Sequence, residues 1–401
     1  MFRNNGKKRI LLQKIIFTFL VLVLYLIGRS IPLYGVDVEA FSTGTVNVEI
    51  LIRQTIGGDL YQKSLFALGI GPYMTSSILV QIIMAMKKTE QRQKISRIQT
   101  NRITLKLMLF LAIFQALLGV QKLEYAETNA SVFGAQVVCV LEMIAGAYMI
   151  LRLSAKNKKY GVGGQTVLIL VNIVDGMKNT LSGHTLRQIL IPVCISLVAM
   201  VVTLVTEFSE KRIGVQRISI HNIYADRNYI AIKANPIGIM PVMFSTAFFL
   251  FPQLIIYTVL RFAPQNTYFL WLKENLVLTR PLGITVYLFI LYLLTIFFSR
   301  VMIHPGELTE QFLKSGDSLE NLHPGTDTKR YLSKVVTRFS ILGATVMAVC
   351  MAVPMVLSYR GAVESTLMML PASAMMLTGM LCNLFQEMRA IWHSDSYERF
   401  I

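Results

Sequence analysis

The chain alternates between long apolar runs and short polar connections. The runs lie near 10–28, 65–86, 103–120, 132–151, 162–177, 186–206, 236–260, 281–299, 335–357 and 365–386. About 20 largely apolar residues cross a hydrocarbon core of roughly 30 Å, so each run predicts a membrane-spanning helix. Two of the runs are interrupted. The stretch Ser64–Ile83 carries Gly69, Gly71, Pro72, Thr75, Ser76, Ser77 and Gln81, and a second break follows Asn235. Lipid cannot satisfy the polar groups that such a break exposes, so these helices are expected to line a protein-buried cavity or a water path.

Composition agrees with the pattern. Of 401 residues, 54% are hydrophobic and only 15% charged, and the mean hydropathy is +0.55, too apolar for an ordinary soluble domain. The first run is read as a span and not as a cleavable signal peptide, because it is long and no small-residue cleavage site precedes Arg29.

Most of the 39 Lys and Arg residues fall before the first span, in alternate loops and after the last one. By the positive-inside rule both termini are expected in the cytoplasm of a multi-pass protein of the cell membrane. The net charge of +17 is explained by basic loops beside anionic headgroups, and no specific nucleic-acid partner is expected.

Three connections stand out. Residues 41–63 hold a short apolar patch, Val48 to Ile56, closed by Gly57 and Gly58; it is either re-entrant or an amphipathic helix resting on the outer surface. Residues 207–234 alternate Ile213, Val215, Ile218 and Ile220 with polar neighbours and end in YIAIK, the pattern of a strand or hairpin arm. Residues 300–334 place Leu308, Phe312 and Leu313 on one helical face before Gly316. Both long loops are expected to be cytoplasmic docking arms.

Chemistry-bearing motifs are missing. The sequence holds no phosphate-binding loop, no His-Glu-x-x-His pair and no nucleophile elbow, so neither an enzyme nor a cofactor is expected. Cys139, Cys194, Cys350 and Cys382 all lie in predicted spans, and His184, His221, His304, His323 and His393 are scattered, which predicts no disulfide framework and no metal site. Glu142 is read as the only acidic residue deep in a span, either functional or paired structurally.

The pattern Ser64-Leu-Phe-x-Leu-Gly69-Ile-x-Pro72-Tyr-Met-x-Ser-Ser77-Ile-Leu-Val-Gln81 closely resembles the second-helix signature of the SecY family, the channel subunits of protein-secretion translocons. Asn235-Pro-Ile-Gly238-Ile-Met-Pro241-Val-Met-Phe244 is similar to the start of that family's seventh helix, and GVGGQTVLI at 161, EKRIGVQ at 210 and the His-Pro-Gly at 323 follow in family order. The resemblance runs from about residue 7 to 390.

It implies an all-α membrane protein of ten helices in two pseudo-symmetric halves, here about 1–180 and 181–401. It implies a pore ring of Ile70, Met74, Thr166, Leu170 and Met243, with a tenth-helix member at Ala374 or Met375. It implies a lateral gate faced by Thr75, Ser76, Ser77, Gln81, Gln115, Asn235 and Thr246. The segment 48–60, with Ile50, Ile52, Ile56, Gly57 and Gly58, would be the plug. Lys211, Arg212, Arg217, His323, Lys329 and Arg330 would dock a SecA-type ATPase. Small SecE-like and SecG-like subunits, accessory helper proteins, membrane lipid and the secreted polypeptide are the other implied partners. His323, where the family usually carries arginine, and the compact, Met-rich chain resemble the accessory branch found in Gram-positive bacteria, which exports serine-rich glycoprotein adhesins. Two rival readings remain at this point. A secondary transporter with a midplane substrate site would also break helices in both halves, and a membrane-protein insertase or scaffold would also carry basic loops.

Overall fold

The computed structural model describes residues 3–36, 64–86, 95–120, 123, 132–217, 229–262, 266–319 and 322–394. In chain order these form α1 (Arg3–Ser30), α2 (Gly71–Met86), α3 (Arg97–Val120), α4 (Val132–Tyr160), α5 (Thr166–Ser182) and α6 (Leu186–Phe208), then β1 (Glu210–Arg217) and β2 (Tyr229–Lys233). They continue with α7 (Met240–Phe262), α8 (Thr267–Asn275), α9 (Pro281–Ile303), α10 (Pro305–Ser315), β3 (Asp317–Leu319), α11 (Thr326–Tyr359), a 3-10 turn at Leu367–Met369 and α12 (Leu370–Ser394).

Each expected span falls on a helix, and seven segments of the described residues are long and apolar enough to cross a membrane. The expected starts at 65, 162 and 236 are displaced. Residues 65–70, 161–165 and 234–239 are turns and bends, and the helices begin only at Gly71, Thr166 and Met240. The cause is local: Gly69, Gly163, Gly164 and Gly238 all take positive φ, where a right-handed helix cannot continue.

The helices are apolar on the outside. On α6 the buried residues are Pro192, Ser196, Ala199, Thr203 and Glu207, whereas Leu197, Val198, Val201 and Val205 are exposed. Water would reverse that arrangement. In lipid, small residues let helices approach and large apolar ones face the hydrocarbon. Ser196 and Thr203 settle their hydroxyls on the carbonyls of Pro192 and Ala199, at 2.7 and 2.8 Å.

The chain divides into two compact units. One comprises Met1–Ile83, Ile95–Ser182 and Met380–Ile401, the other Met84–Lys94 and Gly183–Gly379. Within the first, Leu33, Val36, Ala116, Val120, Cys139 and Met143 form a core shared by the turn after α1, by α3 and by α4. Tyr25 of α1 donates to Asn172 of α5 at 2.7 Å, and one turn further Arg29 pairs with Asp175.

Within the second unit α9 packs along α11, and the two expected arms form one body. A three-stranded sheet of order β2-β1-β3 joins them, antiparallel throughout, with Ile213 opposite Ile230 and Val215 opposite Leu319. Ile213, Ile232, Leu319, Leu332, Val335 and Val336 are its buried core, with Leu308 and Phe312 packed against it. Leu313 does not share that face. It is exposed, because only positions four apart, 308 and 312, align over the sheet, and 313 turns away by about 100°.

Candidate functional site

The first break is clamped by small residues. Ser64 bridges Pro32, and the Leu65 amide donates to the Ile31 carbonyl at 2.9 Å. A Cβ on Gly146 of α4 would come within 2.0 Å of the Leu65 carbonyl oxygen, and one on Gly28 of α1 would meet the Phe66 ring at 2.2 Å. Phe66 stacks on Tyr25 with ring centroids 5.7 Å apart. Only glycine at 28 and 146 allows the unwound segment to lie between α1 and α4. Gly69, at φ +55°, then redirects the chain into α2.

The second break repeats the first. Gly-Ile-x-Pro-x-Met-x-Ser-Ser/Thr occurs at 69–77 and again at 238–246. Gly238 has φ +67°, the counterpart of Gly69. The hydroxyl of Ser76 donates to the Tyr73 carbonyl at 2.8 Å, and that of Ser245 donates to the Val242 carbonyl at 2.9 Å, in each case the residue after the proline. Proline is the second residue of each helix, a first-turn position where its missing N–H costs nothing. Asn235 is buried and donates to the Gly238 carbonyl at 2.9 Å, closing the turn. Gly343 of α11 leaves room for it.

Of the expected ring residues, Ile70, Met74, Met243 and Met375 are buried, as is Ala374, while Thr166 and Leu170 are half-buried on the more open face of α5. Met74 and Met243 occupy the same position in the repeat. Of the expected gate residues, Thr75 donates to the Gly71 and Pro72 carbonyls, each at 3.1 Å, and Thr246 donates to the Met243 carbonyl at 2.8 Å. Gln81 reaches Ser77 at 3.4 Å, and Gln115 is half-buried on α3. The expected plug residues Ile50, Ile52, Ile56, Gly57 and Gly58 lie outside the described residues.

Before α5 the glycine turn is a polar knot. The Asn157 amide donates to the Val162 and Gly164 carbonyls at 3.0 and 2.9 Å, the Val162 amide donates to Thr18, and the Gly163 amide donates to Glu387 at 3.1 Å. It thereby fixes the start of α5, which carries Thr166.

On the sheet, Lys211 and Arg212 are exposed. Arg212 hydrogen-bonds Glu210 at 2.9 Å and lies 4.8 Å over the Tyr229 ring. The Glu210 bond, with the Tyr229 contribution behind it, raises the guanidinium above its ordinary pKa. His323, Lys329 and Arg330 are exposed at the start of α11, where Thr328 donates to the His323 carbonyl at 2.9 Å. Arg217 ends β1.

Two acidic residues matter besides Glu142, which is therefore not the only one inside an expected span. Glu142 accepts from the Tyr34 amide at 3.0 Å, so it holds the chain that leaves α1. Asp175, inside the fifth expected span, pairs with Arg29, and buried Glu207 pairs with Lys233 at 3.1 Å. The signal for the first pair was present: Tyr25 and Arg29 are four apart, and Asn172 and Asp175 three apart, so each pair shares a helical face. Among the described residues, no group of three His, Cys, Asp or Glu could hold a metal ion.

Comparison with known proteins places this geometry. The sequence model of the SecY family matches residues 64–384. The accessory Sec system protein translocase subunit SecY2 of Leuconostoc gelidum subsp. gasicomitatum is 28% identical, covering 98% of this chain and 98% of its own length. Its counterpart in Streptococcus agalactiae is 31% identical over 96% of this chain and 95% of its own. Among solved structures, one described as the structure of a protein conducting channel aligns with a TM-score of 0.69 at 14% identity, covering 98% of this chain and 95% of that one. Sec61 in the canine ribosome-channel complex aligns with a TM-score of 0.62 at 13% identity, covering 98% and 95%.

Proposed function

The chain belongs to the SecY family, and from that premise we propose that it is the channel subunit of an accessory Sec translocon in the cytoplasmic membrane. It passes unfolded polypeptides, with serine-rich glycoprotein adhesins as the substrates and a SecA-type ATPase as the motor, both termini facing the cytoplasm. Small SecE-like and SecG-like subunits and accessory helper proteins complete the assembly.

The observation that carries this reading is the repeated break. A positive-φ glycine, a proline and a buried methionine recur at Gly69, Pro72 and Met74 and at Gly238, Pro241 and Met243. Ile70, Met74, Thr166 and Leu170 in the first half, about 1–180, and Met243 and Met375 in the second, about 181–401, form the proposed seal. Apolar side chains at a narrow waist exclude water and ions by dewetting. Unbranched methionine deforms around a passing chain more readily than β-branched residues do. Thr75, Ser76, Ser77, Gln81, Gln115, Asn235 and Thr246 belong to the proposed lateral gate, and the segment 48–60 is the proposed plug.

The acidic residues on the helices favour a channel over an ion-coupled transporter, since Asp175 is paired with Arg29 and Glu207 with Lys233 of β2. Planar-bilayer conductance tests the reading. Deleting 48–60 should raise ion flux well above that of the parent. A deletion that leaves the bilayer as tight as the parent would turn the assignment towards a transporter or scaffold.

A further inference from the structure

A groove of about 630 Å³ runs along the first turns of α11, lined by Lys329, Arg330, Ser333, Lys334, Thr337 and Arg338. Its two ends differ in depth. From Phe339 to Tyr359 α11 carries no charge, and from Pro281 to Ser299 neither does α9, so Arg338 and Arg300 are the first charged residues beyond the two apolar runs. Arg300 reaches the groove through Thr337, the neighbour of Arg338 in the chain, whose hydroxyl accepts from the Arg300 guanidinium at 3.4 Å. At 1.5 Å rise per residue, Lys334 stands about 6 Å above Arg338 and Arg330 about 12 Å above it. The lower end therefore lies at headgroup depth, and the upper end in water.

Among the described residues, Arg300, Lys334 and Arg338 form no ion pair with a carboxylate. Asp327 lines the adjoining groove with His323, Arg330 and Lys334, at the upper end. Thr337 directs its own hydroxyl hydrogen to the Ser333 carbonyl at 2.8 Å, which leaves its lone pairs to Arg300 and fixes that guanidinium at the rim.

We propose that Arg300, Lys334 and Arg338, with the Ser333 hydroxyl, form a binding site for the phosphodiester headgroup of an anionic phospholipid. Three cations around one phosphate leave a positive excess, which attracts an anionic lipid and repels the choline group of a zwitterionic one. Arginine suits the site because its planar fork matches phosphate oxygens. A soluble protein partner would reach Arg300 and Arg338 only by displacing lipid, so depth favours lipid as the occupant. The site rests on the membrane-spanning reading of α9 and α11, and not on the identity of the motor or the cargo.

Native mass spectrometry of the full chain, delipidated in mild detergent and titrated with phosphatidylglycerol or phosphatidylcholine, tests it. The parent should retain phosphatidylglycerol in preference. Lys334→Gln and Arg338→Gln should each weaken that retention by about fivefold, the worth of one basic residue beside an anionic surface. Arg338→Lys should keep most of it, and exposed Lys314→Gln on α10 should change nothing. Melting temperatures matching the parent's would show that the variants fold. Equal retention of both lipids, or parent-like retention by a variant carrying Lys334→Gln and Arg338→Gln together, would overturn the proposal. So would full displacement of phosphatidylglycerol by equimolar inorganic phosphate, which would make this a free-phosphate site. Loss of motor binding with lipid retention unchanged would make it a protein-docking surface instead.

Discussion

Lys233, the last residue of β2, donates to the carboxylate of Glu207 near the end of α6 at 3.1 Å, and the other oxygen of that carboxylate lies against Gly238. One ion pair thereby joins the sheet, α6 and the break that opens α7. The short link Ala234–Ile239 is the second connection between the sheet and the start of α7.

The partners are unequally buried: the Glu207 side chain is 1% exposed and that of Lys233 34%. Removing the cation strands a carboxylate that water cannot reach, whereas removing the anion leaves an amine that can hydrate. Lys233→Met should therefore cost about 3 kcal/mol, the usual penalty for an uncompensated buried charge. Glu207→Gln should cost about 1 kcal/mol or less, in the range of a pair with one exposed partner. Thermal unfolding of the purified variants in detergent measures the difference, and equal losses would refute the asymmetry.

Gly238 carries two constraints at once. At φ +67° any L side chain costs about 1–2 kcal/mol, and a Cβ there would sit 2.5 Å from the Glu207 Oε1. Gly238→Ala should thus lose stability and export together. In a Glu207→Ala background the same substitution should lose less, by a coupling of at least about 0.5 kcal/mol in a double-mutant cycle. Strictly additive losses would show that only backbone strain acts at this position.

The breaks were legible in the sequence because their causes are local. Gly69, Pro72, Gly238 and Pro241 interrupt apolar runs, and no tertiary information is needed to see it. What holds each break in place was not legible. Gly28 and Gly146 admit Phe66 and Leu65 from distant parts of the chain, and Arg29 meets Asp175 across 146 residues. The strand at Glu210–Arg217 followed from alternation, but β3 is only three residues long, too short to show a period, so the fusion of the two arms through Val215 and Leu319 emerged only in the fold.

Met243 and Met74 hold equivalent places in the repeated segment, and both are buried. If they seal the channel, Met243→Asp should hydrate the constriction and raise ion conductance in planar bilayers, while Met243→Leu should leave closure near the parent level. Met74→Asp should act in the same direction. Equal conductance from the Asp and Leu variants would remove Met243 from the seal.

The basic residues of the sheet and of the start of α11 do not all serve one purpose. Arg212 is engaged by Glu210 and stacked over Tyr229, so it stabilises the β1 and β2 pairing, whereas Lys211 and Arg330 are exposed and form no ion pair among the described residues. Long-range attraction from such groups mainly accelerates encounter and fades with salt, since the Debye length is about 8 Å at physiological ionic strength. Lys211→Glu with Arg330→Glu should slow binding of a SecA-type motor several-fold at low salt and little at high salt, with melting temperature and bilayer leak unchanged. Arg212→Glu should instead lower the melting temperature as well, because it places like charges at 210 and 212. His323→Arg restores the residue common in the family; a motor matched to histidine at this tip should gain nothing from it. Parent-like association rates for the Lys211 and Arg330 double variant across all salt concentrations would show that this surface connects helices and recruits no motor.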